Sequence, residues 1–194
     1  MHVINGPALV TGRFQPLHYG HAEYITEALK FCTHLYIGIT HPDPGRYYQS
    51  DADRHRSSPD ANPFPYDLRV KMVRDFMNDR RVHESEYDIV PIRLESADDC
   101  RKQVPPGTTV FVTIYGPWGR EKKEIFEKMG FPVEVLWERQ GDCRLAQGMD
   151  VRERIREDAE WDYLVPPTTY DVVKEWQARG GKINSLLRSE CVSQ

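Results

Sequence analysis

Two histidines spaced three apart, His18 and His21, flank Gly20 in the stretch Gly12-Arg13-Phe14-Gln15-Pro16-Leu17-His18-Tyr19-Gly20-His21. The apolar run Ala8-Leu9-Val10 precedes it, so a strand empties into a loop and a helix follows. The first N–H groups of a helix lack intrahelical partners and point at any anion lying there. Two imidazoles at this spacing can reach the same phosphate oxygens, with Arg13 as a further cation. Gly20 has no Cβ and lets backbone or ligand come close. Nucleotidyl transfer needs mostly position and charge stabilisation, so such a loop suits a nucleoside triphosphate. A lone histidine is by default structural, and His2, His34 and His83 take that reading.

The elements that must hold this loop follow from hydrophobic spacing. Pro7 to Val10, Leu35 to Thr40, Tyr87 to Ile92, Thr109 to Tyr115 and Val133 to Trp137 read as strands. Their near-continuous apolar character fits a parallel sheet covered on both faces. Tyr19 to Phe31, Asp67 to Met77 and Trp118 to Met129 have helical spacing. Strands alternating with helices predict an α/β fold: a doubly wound parallel sheet of about five strands with helices on both faces and a short helical C-terminal part. In such sheets ligands bind beyond the strands' carboxyl ends, where the His18–His21 loop falls.

The segment 41–65 breaks the pattern. It is rich in Pro, Asp, Arg and Ser, with His55 between Arg54 and Arg56, and is too long for an ordinary connection. It reads as an insertion, a substrate-side lid, with a plain surface excursion as the alternative. The expected domain runs over 1–179, and 180–194 reads as a tail. The tail's apolar residues Ile183, Leu186 and Leu187 could pack on the domain or in a homo-oligomer.

Composition narrows the function. The chain has 194 residues and a net charge of −4, enough to bury a core but without the basic field of a nucleic-acid binder. No apolar run is long enough to cross a bilayer, and no signal-peptide pattern opens the sequence. Cys32, Cys100, Cys143 and Cys191 are scattered, with no Cys-x-x-Cys pair, and read as reduced thiols in a cytoplasmic protein. Neither nucleic acid nor membrane is an expected partner.

At His18-x-Gly20-His21 the chain resembles the nucleotidyltransferase superfamily with that signature. More narrowly it resembles the archaeal-type nicotinamide-nucleotide adenylyltransferases, whose Gly-Arg-Phe-Gln-Pro-Phe-His-x-Gly-His differs here mainly at Leu17. Asn62-Pro63-Phe64 followed by Arg69, the strand end Val90-Pro91-Ile92, and Val110 to Gly116 have counterparts too. Gly148-Met149-Asp150-Val151-Arg152 stands where the family carries Ser-Gly-Thr-Glu-Ile-Arg, and Trp161 to Pro166 matches the family's tail. The fold implied is Rossmann-like.

The resemblance implies an oxygen of a phosphate or phosphonate acceptor attacking the α-phosphorus of an NTP in line, with pyrophosphate leaving. No protein nucleophile is needed, and Mg²⁺ would bridge the triphosphate without a dedicated protein metal site. His18 would fix the triphosphate, His21 would stabilise charge on the α-phosphoryl oxygens, and Arg152 would bind the β- or γ-phosphate. Gly12, Arg13, Phe14, Gly20, Gly116, Gln147, Gly148 and Met149 are the expected nucleotide-side residues, with Phe14 and Pro16 shaping the loop. Asn62, Arg69, Asp98 and Trp118 are the substrate-side candidates. A surface ion pair is the alternative for Arg69, a solvated helix start for Asp98, and a core plug for Trp118.

Two departures bear on specificity. Gln147 and Met149 replace the family's Ser and Thr, removing two hydroxyl donors. The family's tryptophan that stacks on nicotinamide has no counterpart in Ser96-Ala97-Asp98-Asp99-Cys100-Arg101-Lys102. Overall similarity implies ATP and nicotinamide mononucleotide (NMN), giving NAD. The departures point towards relatives that attach CMP from CTP to small phosphorylated or phosphonate compounds. A nucleotide-binding sensor without activity is the reading from another class. A tRNA-synthetase-like activity lacks its Lys-Met-Ser-Lys-Ser-type loop and anticodon domain. His21→Ala is expected to lower turnover roughly 10²–10³-fold, the cost of one preorganised donor; near-parental turnover in a folded variant would remove His21 from the chemistry.

Overall fold

Each of the five apolar runs forms a strand: β1 (Pro7–Gly12), β2 (His34–Thr40), β3 (Tyr87–Ile92), β4 (Thr109–Ile114) and β5 (Val133–Glu138). The computed structural model describes residues 4–50, 52 and 54–183. Leu186 and Leu187 of the expected tail patch lie outside the described residues, whereas Ile183 packs against the core. All strand pairs are parallel, in the order β3-β2-β1-β4-β5. The helices between them are α1 (Tyr19–Ala28), α2 (Tyr66–Asp79), α3 (Ala97–Lys102) and α4 (Pro117–Lys128). After β5 come α5 (Gly148–Arg156) and α6 (Pro167–Ala178), the helical C-terminal part. No helix of the described residues is long and apolar enough to cross a membrane.

Strand alternation divides the core in two. Ala8 and Val10 of β1 join one cluster, to which α1, α2, α5 and α6 bring Ile25, Met72, Val151 and Val172. Leu9 points the other way, into a cluster with Cys100 of α3 and Phe126 and Met129 from the end of α4. The sheet is therefore covered on both faces, the reason its strands read as unbroken apolar runs.

Connections run outward from β1 and β4, which makes their boundary the topological switch point. β1 pairs with β2 over six residues but with β4 only at Ala8↔Thr109 and Leu9↔Val110. Beyond that, backbone carbonyls that a ladder would have used need other donors. Lys122 Nζ donates to the Thr11 carbonyl at 2.8 Å, and the Tyr24 hydroxyl donates to the Phe111 carbonyl. A cleft opens above them.

Segment 41–65 is a stitched structure with two short 3₁₀ turns, Arg54–Ser57 and Pro59–Ala61. Glu121 of α4 accepts from the Ser50 hydroxyl at 2.6 Å and the Ala52 amide at 3.2 Å. Gln15 exchanges two hydrogen bonds with the Phe64 backbone, at 2.8 and 3.0 Å.

Three substrate-side expectations are corrected here. Arg69 is 3% exposed and donates to the carbonyls of Arg13, Thr40 and His41 at 2.9, 2.7 and 2.8 Å. Its guanidinium fastens α2 to the ends of β1 and β2 instead of meeting substrate. Asn62 donates to the carbonyls of Arg56 and Ser58, both at 2.8 Å, and so shapes the inserted segment from within. Asp98 lies in the first turn of α3, where Ser96 accepts the Asp99 amide as N-cap, and pairs with Arg101 at the surface.

Arg69→Met should lower unfolding stability by roughly 3 kcal/mol or more in urea titrations, since buried carbonyls lose their donors. Arg69→Lys should not restore it, because an ammonium lacks the planar fork. A methionine variant as stable as the parent would show that these carbonyls find other partners.

Candidate active site

The cleft at the switch point is a cavity of about 460 Å³. Its lining includes His18, His21, Arg152, Gly12, Arg13, Gly20, Gln147, Gly148, Met149 and Trp118 of the expected residues. Two helix N-termini meet there. His18 is the N-cap residue of α1 and Gln147 that of α5, and neither side chain caps its own helix. A Cβ on Gly20 would sit 2.9 Å from the Ala146 carbonyl, and one on Gly148 2.9 Å from the Gln15 carbonyl. Glycine at both positions lets each helix start abut the loop before the other. The amide-rich ends of both dipoles thereby face one cavity.

The imidazoles of His18 and His21 stack with centroids 3.8 Å apart. The Nδ1 of each is buried without a protein partner. Burial, followed by the charges of Arg144, Arg152 and Arg13, lowers the His18 pKa to about 3. His21 is lowered well below its usual value by burial, then by His18, Arg13, Arg56 and Lys122. Both rings are neutral in the free protein at pH 7, and an arriving anion favours their charged forms.

Arg152 is 2% exposed; its Nη1 donates to the Gln15 carbonyl at 2.6 Å while Nε is buried without a partner. Burial lowers its pKa to about 10, so it stays charged. Arg13 holds the carbonyls of Arg56 and Ala61 at 3.0 and 3.2 Å, joining the first loop to the inserted segment. Gln147 accepts from Arg144 at 3.2 Å, so the residue replacing the family's hydroxyl orients a guanidinium. Trp118 lines the cavity, but the Arg56 guanidinium lies 4.3 Å from its ring centroid. One face of the ring is therefore occupied.

Two nucleotide-side expectations are corrected. Phe14 is fully buried, its ring 4.7 Å from that of His21, and supports the imidazole from the core without lining the cavity. Its φ of 51° is uncommon outside glycine and turns the chain so that the ring points inward. Gly116 is the N-cap residue of α4 and does not line the cavity.

Sequence reasoning missed Arg56, Arg144, Tyr24 and Lys122, all cavity-lining. Lys122 sits in the charged run Glu121-Lys122-Lys123-Glu124, which reads as a solvated face. The available signal was its period: Gly119, Lys122 and Phe126 form the buried stripe of α4. Among the described residues no carboxylate lines the cavity, and no group of three or more His, Cys, Asp or Glu could hold a metal. These residues do not form a protein-held magnesium site; an ion carried on the triphosphate's own oxygens needs no such ligands.

Comparison with known proteins agrees with this geometry. Residues 9–154 match the family model described as cytidylyltransferase-like. Phosphonoformate cytidylyltransferase from Streptomyces viridochromogenes is 36% identical over 172 residues, 89% of this chain and 92% of that protein. Nicotinamide-nucleotide adenylyltransferase from Methanococcus aeolicus is 26% identical over 171 residues, 87% of this chain and 88% of that one. The crystal structure of a bifunctional NMN adenylyltransferase/ADP ribose pyrophosphatase from Francisella tularensis, complexed with AMP and manganese, shares the fold. Its TM-score is 0.64 at 14% identity, over 90% of this chain and 50% of that one, so this chain spans about half its length. The chain belongs to the cytidylyltransferase-like family and is a nucleotidyltransferase.

The lowered histidine pKa values set a pH dependence. Below pH 6.5 the unfolded chain binds a proton at His18 that the folded protein refuses until about pH 3. Stability is therefore complete above pH 6.5 and falls as pH drops through that window. From pH 7 to about 5, unfolding stability should fall by roughly 2 kcal/mol through His18 alone. Denaturant titrations of His18→Asn should show a shallower fall; a slope equal to the parent's would mean that His18 is protonated when folded.

Proposed function

We propose that the protein transfers a cytidylyl group from CTP to a small phosphonate-bearing acceptor with release of pyrophosphate. The observation that carries this reading is the cavity wall. Arg13, Arg56, Arg144, Arg152 and Lys122 line it, no carboxylate among the described residues does, and one face of Trp118 carries Arg56. Such a wall suits two small polyanions better than a second nucleotide that must stack its base. The 36% identity to a phosphonoformate cytidylyltransferase supports the same choice.

In this reading the triphosphate lies between the N-termini of α1 and α5. Arg144 and Arg152 take the β- and γ-phosphates beside His18, and His21 donates to an α-phosphoryl oxygen. An acceptor oxygen forms a bond to the α-phosphorus as the bond to pyrophosphate breaks. The phosphonate is already ionised, so no protein base is required. The site supplies preorganised N–H donors and cations where charge accumulates, in a water-poor cleft. The stitched segment 41–65 serves as its lid. Free thiols at Cys32, Cys100 and Cys143 support a cytoplasmic setting.

Adenylyl transfer to NMN is the second reading, favoured by the archaeal relatives at 26% identity and by the shared opening motif. Pyrophosphate release measured with CTP or ATP, each against phosphonoformate, methylphosphonate and NMN, separates the two. CTP with phosphonoformate should be the productive pair. Turnover confined to ATP with NMN would overturn the proposal, and nucleotide binding with no release from any acceptor would favour a sensor.

A further inference from the structure

The two imidazoles feel overlapping sets of the cavity's cations. His18 feels Arg144 and Arg152, whereas His21 feels Arg56 and Lys122, with Arg13 common to both. The first group stands at the α5 end, where the triphosphate is placed above. The second stands towards α4 and the inserted segment, the side left for the acceptor. Lys122 is the more buried of the second group, 8% exposed at the floor of the cleft.

A purely structural account of Lys122 is incomplete. Its Nζ donates to the Thr11 carbonyl at 2.8 Å and meets the Tyr24 hydroxyl at 3.3 Å, which closes the gap between β1 and β4. Both partners are neutral. An ammonium has three donors, and burying one without a counter-charge is costly. A neutral donor would tie the same carbonyl without that cost. The groups facing Lys122 are Tyr24 and His21 of α1 and Arg56 of the inserted segment. Among the described residues none of the groups facing it is a carboxylate. The missing counter-charge has one open direction, the cavity.

We infer that Lys122 determines acceptor specificity by receiving a second anionic group of the acceptor, a carboxylate beside the phosphonate that attacks. This rests on the phosphonate reading above and names the acceptor class: small molecules with two adjacent acidic groups. With its phosphonate at His21, such an acceptor places its carboxylate over the Lys122 ammonium and supplies the charge that the fold withholds. In the free protein burial, then Arg56, lowers the Lys122 pKa to about 7; a bound carboxylate raises it again.

Calorimetric titration with phosphonoformate and methylphosphonate tests this without turnover. Lys122→Met should weaken phosphonoformate binding roughly 10–100-fold, the worth of a charged hydrogen bond, and leave methylphosphonate and CTP binding unchanged. Lys122→Arg should retain part of the preference. Equal phosphonoformate binding by parent and methionine variant, or equal weakening of all three ligands, would overturn the inference. Should the methionine variant not fold, the parent decides. At about pH 9 the free amine is neutral, and phosphonoformate binding should take up a proton, seen as heats that vary with buffer ionisation enthalpy. Absence of that uptake also overturns it. Failure of CTP and phosphonoformate to release pyrophosphate would sink the proposed reaction, while the binding contrast still decides the role of Lys122.

Discussion

Parallel strands whose connections leave in opposite directions cannot both carry helices across the gap between them. That constraint opens the cleft between β1 and β4, and much else in the protein answers to it. The ladder stops after Leu9 and Val110, so carbonyls further along need donors from outside the sheet. Tyr24 and Lys122 supply them from helices on opposite faces, and in doing so form the floor of the site. The same hydrogen bonds that close the fold put a hydroxyl and an amine in the wall of the cavity.

Charge is the second theme, and it follows from burial. Guanidinium groups and an amine converge on a cavity that no carboxylate of the described residues lines. Their mutual repulsion is moderated because the histidines stay neutral and because Arg152 and Arg13 are held by backbone carbonyls. Carbonyl dipoles steady a cation without cancelling its charge, so the field remains available to a polyanion. Aromatic faces are used in the same spirit: Trp118 carries Arg56 and Tyr115 carries Arg144, which fixes the orientation of long cationic side chains.

The inserted segment shows how loops acquire structure from buried arginines. Arg69 reaches the carbonyls where β1 and β2 end, and Arg13 reaches those within the segment. Both resemble ligand-binding residues in the sequence, yet one is wholly and the other partly committed to backbone. An arginine fork serves a carbonyl cluster as readily as a phosphate, and type and spacing alone do not separate the two uses.

How much was legible divides along the range of the interaction. Strand positions, the parallel sheet, the helix starts and the pair His18 and His21 were open to the sequence, because strand period, glycine placement and local spacing are properties of neighbouring residues. Arg69 was misassigned, and Lys122 and Arg56 were missed, because their partners lie far along the chain. Asn62 and Arg144 have partners a few residues away, inside irregular segments whose turns no hydrophobic period announces. Lys122 donates across 111 residues to Thr11, and Arg152 across 137 to Gln15. The sequence by itself determined where the strands fall and that a loop carrying His18 and His21 follows the first of them. Only the tertiary structure decided which cations face the cavity and which serve backbone, since that choice depends on where distant carbonyls end and which charges are left without a partner.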